Sequence, residues 1–153
     1  MSVASILKGQ EFFHNLGADE IQEVSGFSEQ RTFEKEDQIY THAQKADKVY
    51  LLLEGSVLLR LPPRDGETKL IIAKIEKGEL SGISPLLGAE RYAVDALCAE
   101  KAEVLAIEAG SLQRTLKEDC VAGFVIMSEV AKAYFDRYTE LLRSLQSVVS
   151  GLS

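Results

Sequence analysis

The 153 residues are 46% hydrophobic and 27% charged, the balance of a soluble globular chain with one domain's worth of core. A formal net charge of −7 excludes a nonspecific nucleic-acid surface, which needs concentrated positive charge, and no Lys/Arg-rich run supplies it locally. No stretch approaches the roughly 20 apolar residues of a membrane span, and the opening MSVASILKGQ has no secretion-signal block, so a cytoplasmic protein is expected.

Residues 1–10 read as a short helix or a loose lead-in, followed by the apolar anchors Phe12, Phe13 and Leu16. Asp19 can cap a helix over Glu20–Phe27, with Ile21, Val24 and Phe27 along one face. From Arg31 the pattern changes to short runs of branched and aromatic residues separated by turns. The strands predicted there are Arg31–Phe33, Gln38–Thr41, Val49–Leu53, Ser56–Leu61 and Lys69–Ile75. Pro62-Pro63 and Asp65-Gly66 make Ser56–Ile75 a hairpin.

The stretch Lys77–Ile107 organises the chain. Small residues at Gly78, Ser81, Gly82, Ser84 and Gly88 let the backbone approach a neighbour and expose its amides. Arg91, just beyond, can meet an anion presented there; a surface loop with a solvated arginine fits the same residues. Two further strands, Ala93–Leu97 and Glu103–Ile107, flank a charged turn. Many short strands with no βαβ alternation predict a sandwich or barrel.

After Ala109 the period becomes helical. A short helix over Gly110–Lys117 precedes a long one, capped by Asp119, from Cys120 to about Val149. Phe124, Met127, Ala131, Tyr134, Tyr138, Leu141, Leu145 and Val148 alternate at spacings of 3 and 4, a heptad seam that predicts helix pairing in a homodimer. A helix of about 30 residues spans roughly 45 Å, more than a small β core covers. Phe135, Leu142 and Val149 widen the stripe, so part of the helix can also lie on its own domain.

Little in the chain points to catalysis. Cys98 and Cys120 have no ligand spacing and read as small buried hydrophobes. His14 and His42 are isolated, which argues against a metal centre and against haem. No Ser-His-Asp, Cys-His or paired-carboxylate arrangement is legible, so no enzyme is expected.

The order of these segments resembles the cyclic nucleotide-binding domain, the sensor half of catabolite-activator-type regulators. The stretches that carry the resemblance are FFHNLGADEIQEV, DKVYLLLEGSVLL, KGELSGISPLLGAERYAV and AEVLAIEAGSLQRTL. Gly55 looks like the glycine closing the family's Tyr-x-x-x-x-Gly strand. The resemblance implies a mainly β fold with flanking helices: a double-stranded β-helix (jelly-roll) barrel followed by a short helix and a long C-terminal dimerisation helix. One domain is expected, with a helical segment over 12–30, the barrel over 31–108 and the helices over 109–150.

The family's phosphate-binding cassette resembles Phe-Gly-Glu, an apolar pair, a glycine turn and Arg-x-Ala. Gly82 matches the glycine, Leu86-Leu87 the pair, and Arg91 with Ala93 the arginine motif. The resemblance thus implies Gly82, Ile83, Ser84, Arg91 and Tyr92 as the ligand-contacting positions, with cyclic AMP or cyclic GMP as the ligand class. Ser81 stands where phenylalanine is usual, and Ile83 where the ribose-binding glutamate belongs. A buried hydroxyl left without an acceptor costs about 1–3 kcal/mol. Glu79 fills the acidic role only in a register that fits the apolar pair poorly. The segment before Arg91 is one residue shorter than usual, and the bulk of Tyr92 can fill part of the pocket.

A regulatory sensor working through a dimer or a partner protein follows from the resemblance. The alternatives are a scaffold with a decayed pocket, or a sensor of another small effector acting through the long helix. The chain stops at Ser153, so no helix-turn-helix and no direct DNA binding are expected.

Overall fold

The computed structural model describes residues 2–62 and 70–152. In chain order its first elements are α1 (Val3–Lys8), a 3-10 turn (Glu11–Phe13), α2 (Ala18–Gly26), β1 (Ser28–Phe33), β2 (Gln38–Tyr40) and β3 (Lys48–Glu54). Then come β4 (Val57–Arg60), β5 (Ile71–Ile75), β6 (Leu80–Ser81), a second 3-10 turn (Ser84–Leu87), β7 (Asp95–Cys98) and β8 (Ala102–Glu108). Two helices follow, α3 (Ala109–Glu118) and α4 (Cys120–Leu152).

The strand β3 dictates the layering. Every residue from Val49 to Leu53 is buried, which an alternating strand achieves only if both faces are covered. Val49, Leu51 and Leu53 pack on α1, α2, α3 and the start of α4, together with Leu105 and Ile107 of β8. Tyr50 and Leu52 face the other way and join Val104, Ala106, Leu59, Ala96 and Cys98 in a second core. The first core lies between a sheet and the helices, the second between two sheets.

Those sheets are antiparallel and four-stranded, in the orders β1-β8-β3-β6 and β2-β7-β4-β5. This corrects the expected jelly-roll barrel: among the described residues neither sheet closes, and the two are stacked. The physical reason is strand length. β6 has two residues and β2 has three, so the ladders end before the edges can meet. Among the described residues an isolated β-bridge, Lys45 to Arg91, lies outside the named strands.

The local expectations mostly hold. β4 pairs with β5 as the expected hairpin, although its Asp65-Gly66 turn lies outside the described residues. Asp119 accepts the Ala122 N–H at 3.1 Å and so caps α4. Helix α2 differs: it begins at Ala18, and Asp19 is not its cap. The Gly17 N–H instead donates to the Glu20 carboxylate at 2.9 Å, which satisfies an end donor from inside the first turn. Cys98 is buried as expected, and burial pushes its thiol up to about 11, whereas Cys120 is exposed.

Helix α4, at 33 residues, is about 50 Å long. It docks mainly by Ala122, Ile126 and Val130, with Met127 packed against the same core. Beyond that its apolar residues are uncovered: Phe135, Tyr138, Leu145 and Val148 are each more than half exposed (63%, 58%, 60% and 61%).

The chain passes from one sheet to the other at Gly55, with φ +96. A Cβ at that position would collide with the Lys101 carbonyl and sit 2.9 Å from Ala102 Cα. Gly55→Ala is expected to cost at least about 2 kcal/mol from the left-handed backbone and the collision together. A lowered urea midpoint with an unchanged slope checks it.

Candidate functional site

The site is built around Gly82. This residue follows β6 with φ +67, and a Cβ there would lie 3.1 Å from the Tyr40 ring, 3.2 Å from Tyr92 and 3.3 Å from Tyr50. Three rings converge on one α-carbon, so the backbone angle favours glycine and a Cβ would oblige the rings to give by a few tenths of an ångström. Tyr40 and Tyr92 stack with centroids 4.1 Å apart, and Tyr50 continues the stack 5.6 Å from Tyr40.

The phenols of Tyr40 and Tyr92 are tied back into the protein. Tyr40 and Ser81 share a hydrogen bond of 2.7 Å. Tyr92 donates to the Lys48 carbonyl at 2.6 Å and accepts the Lys48 N–H at 3.2 Å. Burial pushes Tyr40 up to about 12 and raises Tyr50 and Tyr92 as well, so all three are neutral at physiological pH. Their contribution to the site is ring surface.

Beside this stack lies a cavity of 280 Å³. Its floor is Tyr40, Gly82 and Tyr92; Leu59, Ile72 and Val94 form one side; Ile83 and Ser84 begin the 3-10 turn at another. The last wall is helix α4, through Tyr134, Arg137, Tyr138 and Leu141. The Ser84 hydroxyl is buried without a hydrogen-bond partner. Arg137 Nη2 donates to the Leu80 carbonyl of β6 at 3.0 Å.

Four of the five positions singled out in the sequence, Gly82, Ile83, Ser84 and Tyr92, therefore line one cavity. Ile83 is 2% exposed and packs into the helix-side core, where it offers no acceptor to a hydroxyl. Arg91 is elsewhere. It is exposed, donates to the Ala43 carbonyl at 2.5 Å, and lines a separate depression with Lys45, Asp47 and Glu90. Neighbours on an extended segment point to opposite sides; Tyr92 takes the inward direction and leaves Arg91 outside.

Sequence reasoning missed Tyr40, Tyr50 and Arg137. The signal for Tyr50 was its period-2 relation to Leu52, which puts both on one face of β3. Nothing local marked Arg137, which reaches the site from a helix remote in sequence.

Behind the cavity wall runs a second polar arrangement. Arg60 and Asp95 face each other across β4 and β7 and form a buried ion pair at 3.3 Å. The other carboxylate oxygen of Asp95 meets His42 Nδ1 at 2.8 Å and accepts the His42 N–H at 2.8 Å. His42, expected as an isolated surface residue, is thus anchored at one end. Burial alone would raise Asp95, but the His42 ring and backbone and the Arg60 guanidinium together hold it below the usual carboxylate range. Among the described residues no group of three or more His, Cys, Asp or Glu could hold a metal ion. No helix there is long and apolar enough to cross a membrane.

A family profile described as the cyclic nucleotide-binding domain matches residues 30–119. No curated protein matches the chain. Among solved structures, a Geobacter metallireducens protein named for cyclic nucleotide binding shares 25% identity over 90% of this chain and 99% of its own, with a TM-score of 0.75. The sensor domain of the transcriptional regulator DNR from Pseudomonas aeruginosa shares 13% over 85% and 91%, with a TM-score of 0.73. A regulatory subunit of a cAMP-independent protein kinase A from Trypanosoma cruzi, bound to guanosine, shares 18% over 94% of this chain and 49% of its own, at a TM-score of 0.71. The last two likenesses are of fold alone.

Replacing Asp95 by Asn leaves Arg60 buried with its counter-charge removed and its Nε already unpartnered. Breaking a buried pair from one side costs about 3–5 kcal/mol, and Asp95→Asn is expected near about 3 kcal/mol at pH 7. Because the folded carboxyl is depressed, its stabilisation is present above the unfolded value of about 4 and is lost as pH falls through the lower folded value. Urea midpoints measured from pH 7 down to pH 2 should therefore decline less steeply at the acid end in Asp95→Asn.

Proposed function

The chain belongs to the cyclic nucleotide-binding domain family, and from that premise we propose that it is a non-catalytic regulatory sensor whose cavity takes a small effector and whose long helix carries the signal. One observation supports this above others: the cavity is walled on one side by the Gly82–Ser84 turn and on another by Tyr134, Arg137, Tyr138 and Leu141 of α4. An occupant touches the sheets and the helix at once. Ligand binding that favours one helix position over another shifts the population between them.

The output surface we propose is the α4 seam, pairing two copies through Phe124, Met127, Ala131, Tyr134, Tyr138, Leu141 and Leu145. Contiguous exposed apolar surface of this kind marks an interaction site, and a regulated partner protein is the other occupant such a seam admits. Tyr134, Tyr138 and Leu141 belong to both seam and cavity wall, so the effector and the pairing are in contact. The net charge of −7 makes direct readout of DNA by this segment a poor fit.

A cyclic nucleotide is the ligand the family name suggests. Against it stand Ile83 at the ribose-binding position and Arg91 outside the cavity. The Trypanosoma cruzi subunit holds guanosine, a nucleoside without the phosphate, which supports another effector class for a cavity of this kind. The positions proposed to touch the effector are Gly82, Ile83, Ser84 and Tyr92, with Arg91 joining only if its segment turns inward.

Two measurements test the reading. Titration calorimetry with cyclic AMP and cyclic GMP is expected to give no saturable binding below the millimolar range; micromolar binding abolished by Arg91→Ala identifies a cyclic-nucleotide sensor with Arg91 in the site. Sedimentation equilibrium is expected to show a dimer that Leu145→Glu weakens at least tenfold, about 1.4 kcal/mol, since burying an unpaired carboxylate in an apolar seam is costly. An unchanged mass distribution in that variant removes the seam from the mechanism.

A further inference from the structure

The cavity has a single charged lining residue among those described, Arg137. Its guanidinium carries five donors, and the hydrogen bond it makes is to a neutral carbonyl, that of Leu80. No carboxylate pairs with it in the described structure, whereas Arg31 and Arg60 both have one. Arg137 also borders a second depression with Glu79, Glu129 and Asp136, none of them paired with it, and toward the cavity it faces apolar and aromatic walls where an anion would be its natural partner.

The remaining walls define what can carry that charge. Tyr40 and Tyr92 present ring faces, because their hydroxyls are committed to Ser81 and Lys48. Ile83 gives no acceptor for a sugar hydroxyl. Besides Tyr134 and Tyr138 on the helix wall, the turn supplies Ser84, whose hydroxyl has no partner and can donate to an anion. At 280 Å³ the space suits a fused-ring acid.

We propose that this cavity takes a compact aromatic monoanion of the carboxylate type, its rings against the tyrosine stack and its anionic group on Arg137, in place of a sugar-bearing nucleotide. The proposal rests on the sensor reading given above. Arg137 would exchange the Leu80 carbonyl for a carboxylate, a stronger charge-assisted and bidentate partner. Leu80 is in β6 and Arg137 on α4, so the exchange changes what holds the helix to the sheet. The ligand would act on the helix by competing for its tether.

The test is calorimetry on the full chain with 2-naphthoate and its neutral analogue 2-naphthamide. Naphthoate is expected to bind at least about tenfold more tightly, the scale of a hydrogen bond to a charged group. Arg137→Gln should abolish that preference, and Arg137→Lys should retain part of it. Ala93→Phe, at an exposed residue of the cavity wall, should block both ligands. Circular dichroism checks that each variant is folded. Equal affinity for acid and amide, a preference that survives Arg137→Gln, binding unaffected by Ala93→Phe, or no saturable naphthoate binding each overturns the proposal. Cyclic AMP binding that depends on Arg91 also overturns this ligand class but leaves the sensor reading intact. Naphthoate binding that meets every expectation but leaves the sedimentation behaviour of α4 pairing unchanged has the opposite meaning: the ligand class stands and the sensor reading fails.

Discussion

The packing of three tyrosine rings around Gly82 is the constraint on which the rest of the site depends. The stack fills the space between the sheets at the end of β6, so the chain passes most easily with a residue that has no Cβ and tolerates a left-handed backbone. That single passage fixes where Ile83 and Ser84 begin their turn. It also sets the direction of Tyr92 further along, because the ring must complete the stack. Arg91 is then directed away from the cavity. The position of the arginine is thus a consequence of aromatic packing elsewhere, and no ion pair is needed to explain it.

Much of this was legible in the sequence, and what was not has identifiable causes. The strands showed themselves because branched and aromatic runs between turn residues have few other uses, and β3, buried on both faces, read as the unbroken run Val49–Leu53. The barrel did not follow from those strands. Closure depends on whether edges pair, and two-residue β6, the edge of its sheet, carries no pattern from which that can be read. The long helix and its seam were visible in the heptad spacing, yet the spacing alone could not say that Ala122, Ile126 and Val130, off the seam, would be the residues that dock. At the site, Gly82 and its neighbours stood out as small residues. The rings that crowd Gly82 come from β2 and β3, and their convergence is a property of the sheet stacking.

The arginines show how context assigns different roles to one side chain. Arg60 is buried against Asp95 and neutralised by it; its role is structural, and the His42 contact completes the satisfaction of that carboxylate. Arg91 is exposed and spends its donors on a backbone carbonyl. Arg137 is half-buried between the apolar cavity and a depression it shares with Glu79, Glu129 and Asp136, and the hydrogen bond it makes is to the Leu80 carbonyl. Coulomb attraction is weak in water and grows as the surroundings become less polar, so between Arg91 and Arg137, Arg137 is the one whose charge counts for more. A sequence motif directs attention to Arg91, whereas the electrostatics direct it to Arg137.

Helix α4 is where these features meet. Its first turns are fixed by Ala122, Ile126 and Val130, and the apolar Leu145, Val148 and Val149 of its last turns are exposed. Between them, Tyr134, Arg137, Tyr138 and Leu141 stand over the cavity. A rod held firmly at one end and lightly tethered in the middle transmits a small change at the tether as a larger displacement at its free end. With about 1.5 Å of rise per residue, Val148 lies roughly 16 Å beyond Arg137 along the helix axis. The apolar stripe on that free portion is the part least constrained by its own domain and therefore the part a second copy can reposition. In the proposed reading cavity, tether and seam form one mechanical element, on the whole of which an effector that alters the Arg137 contact would act.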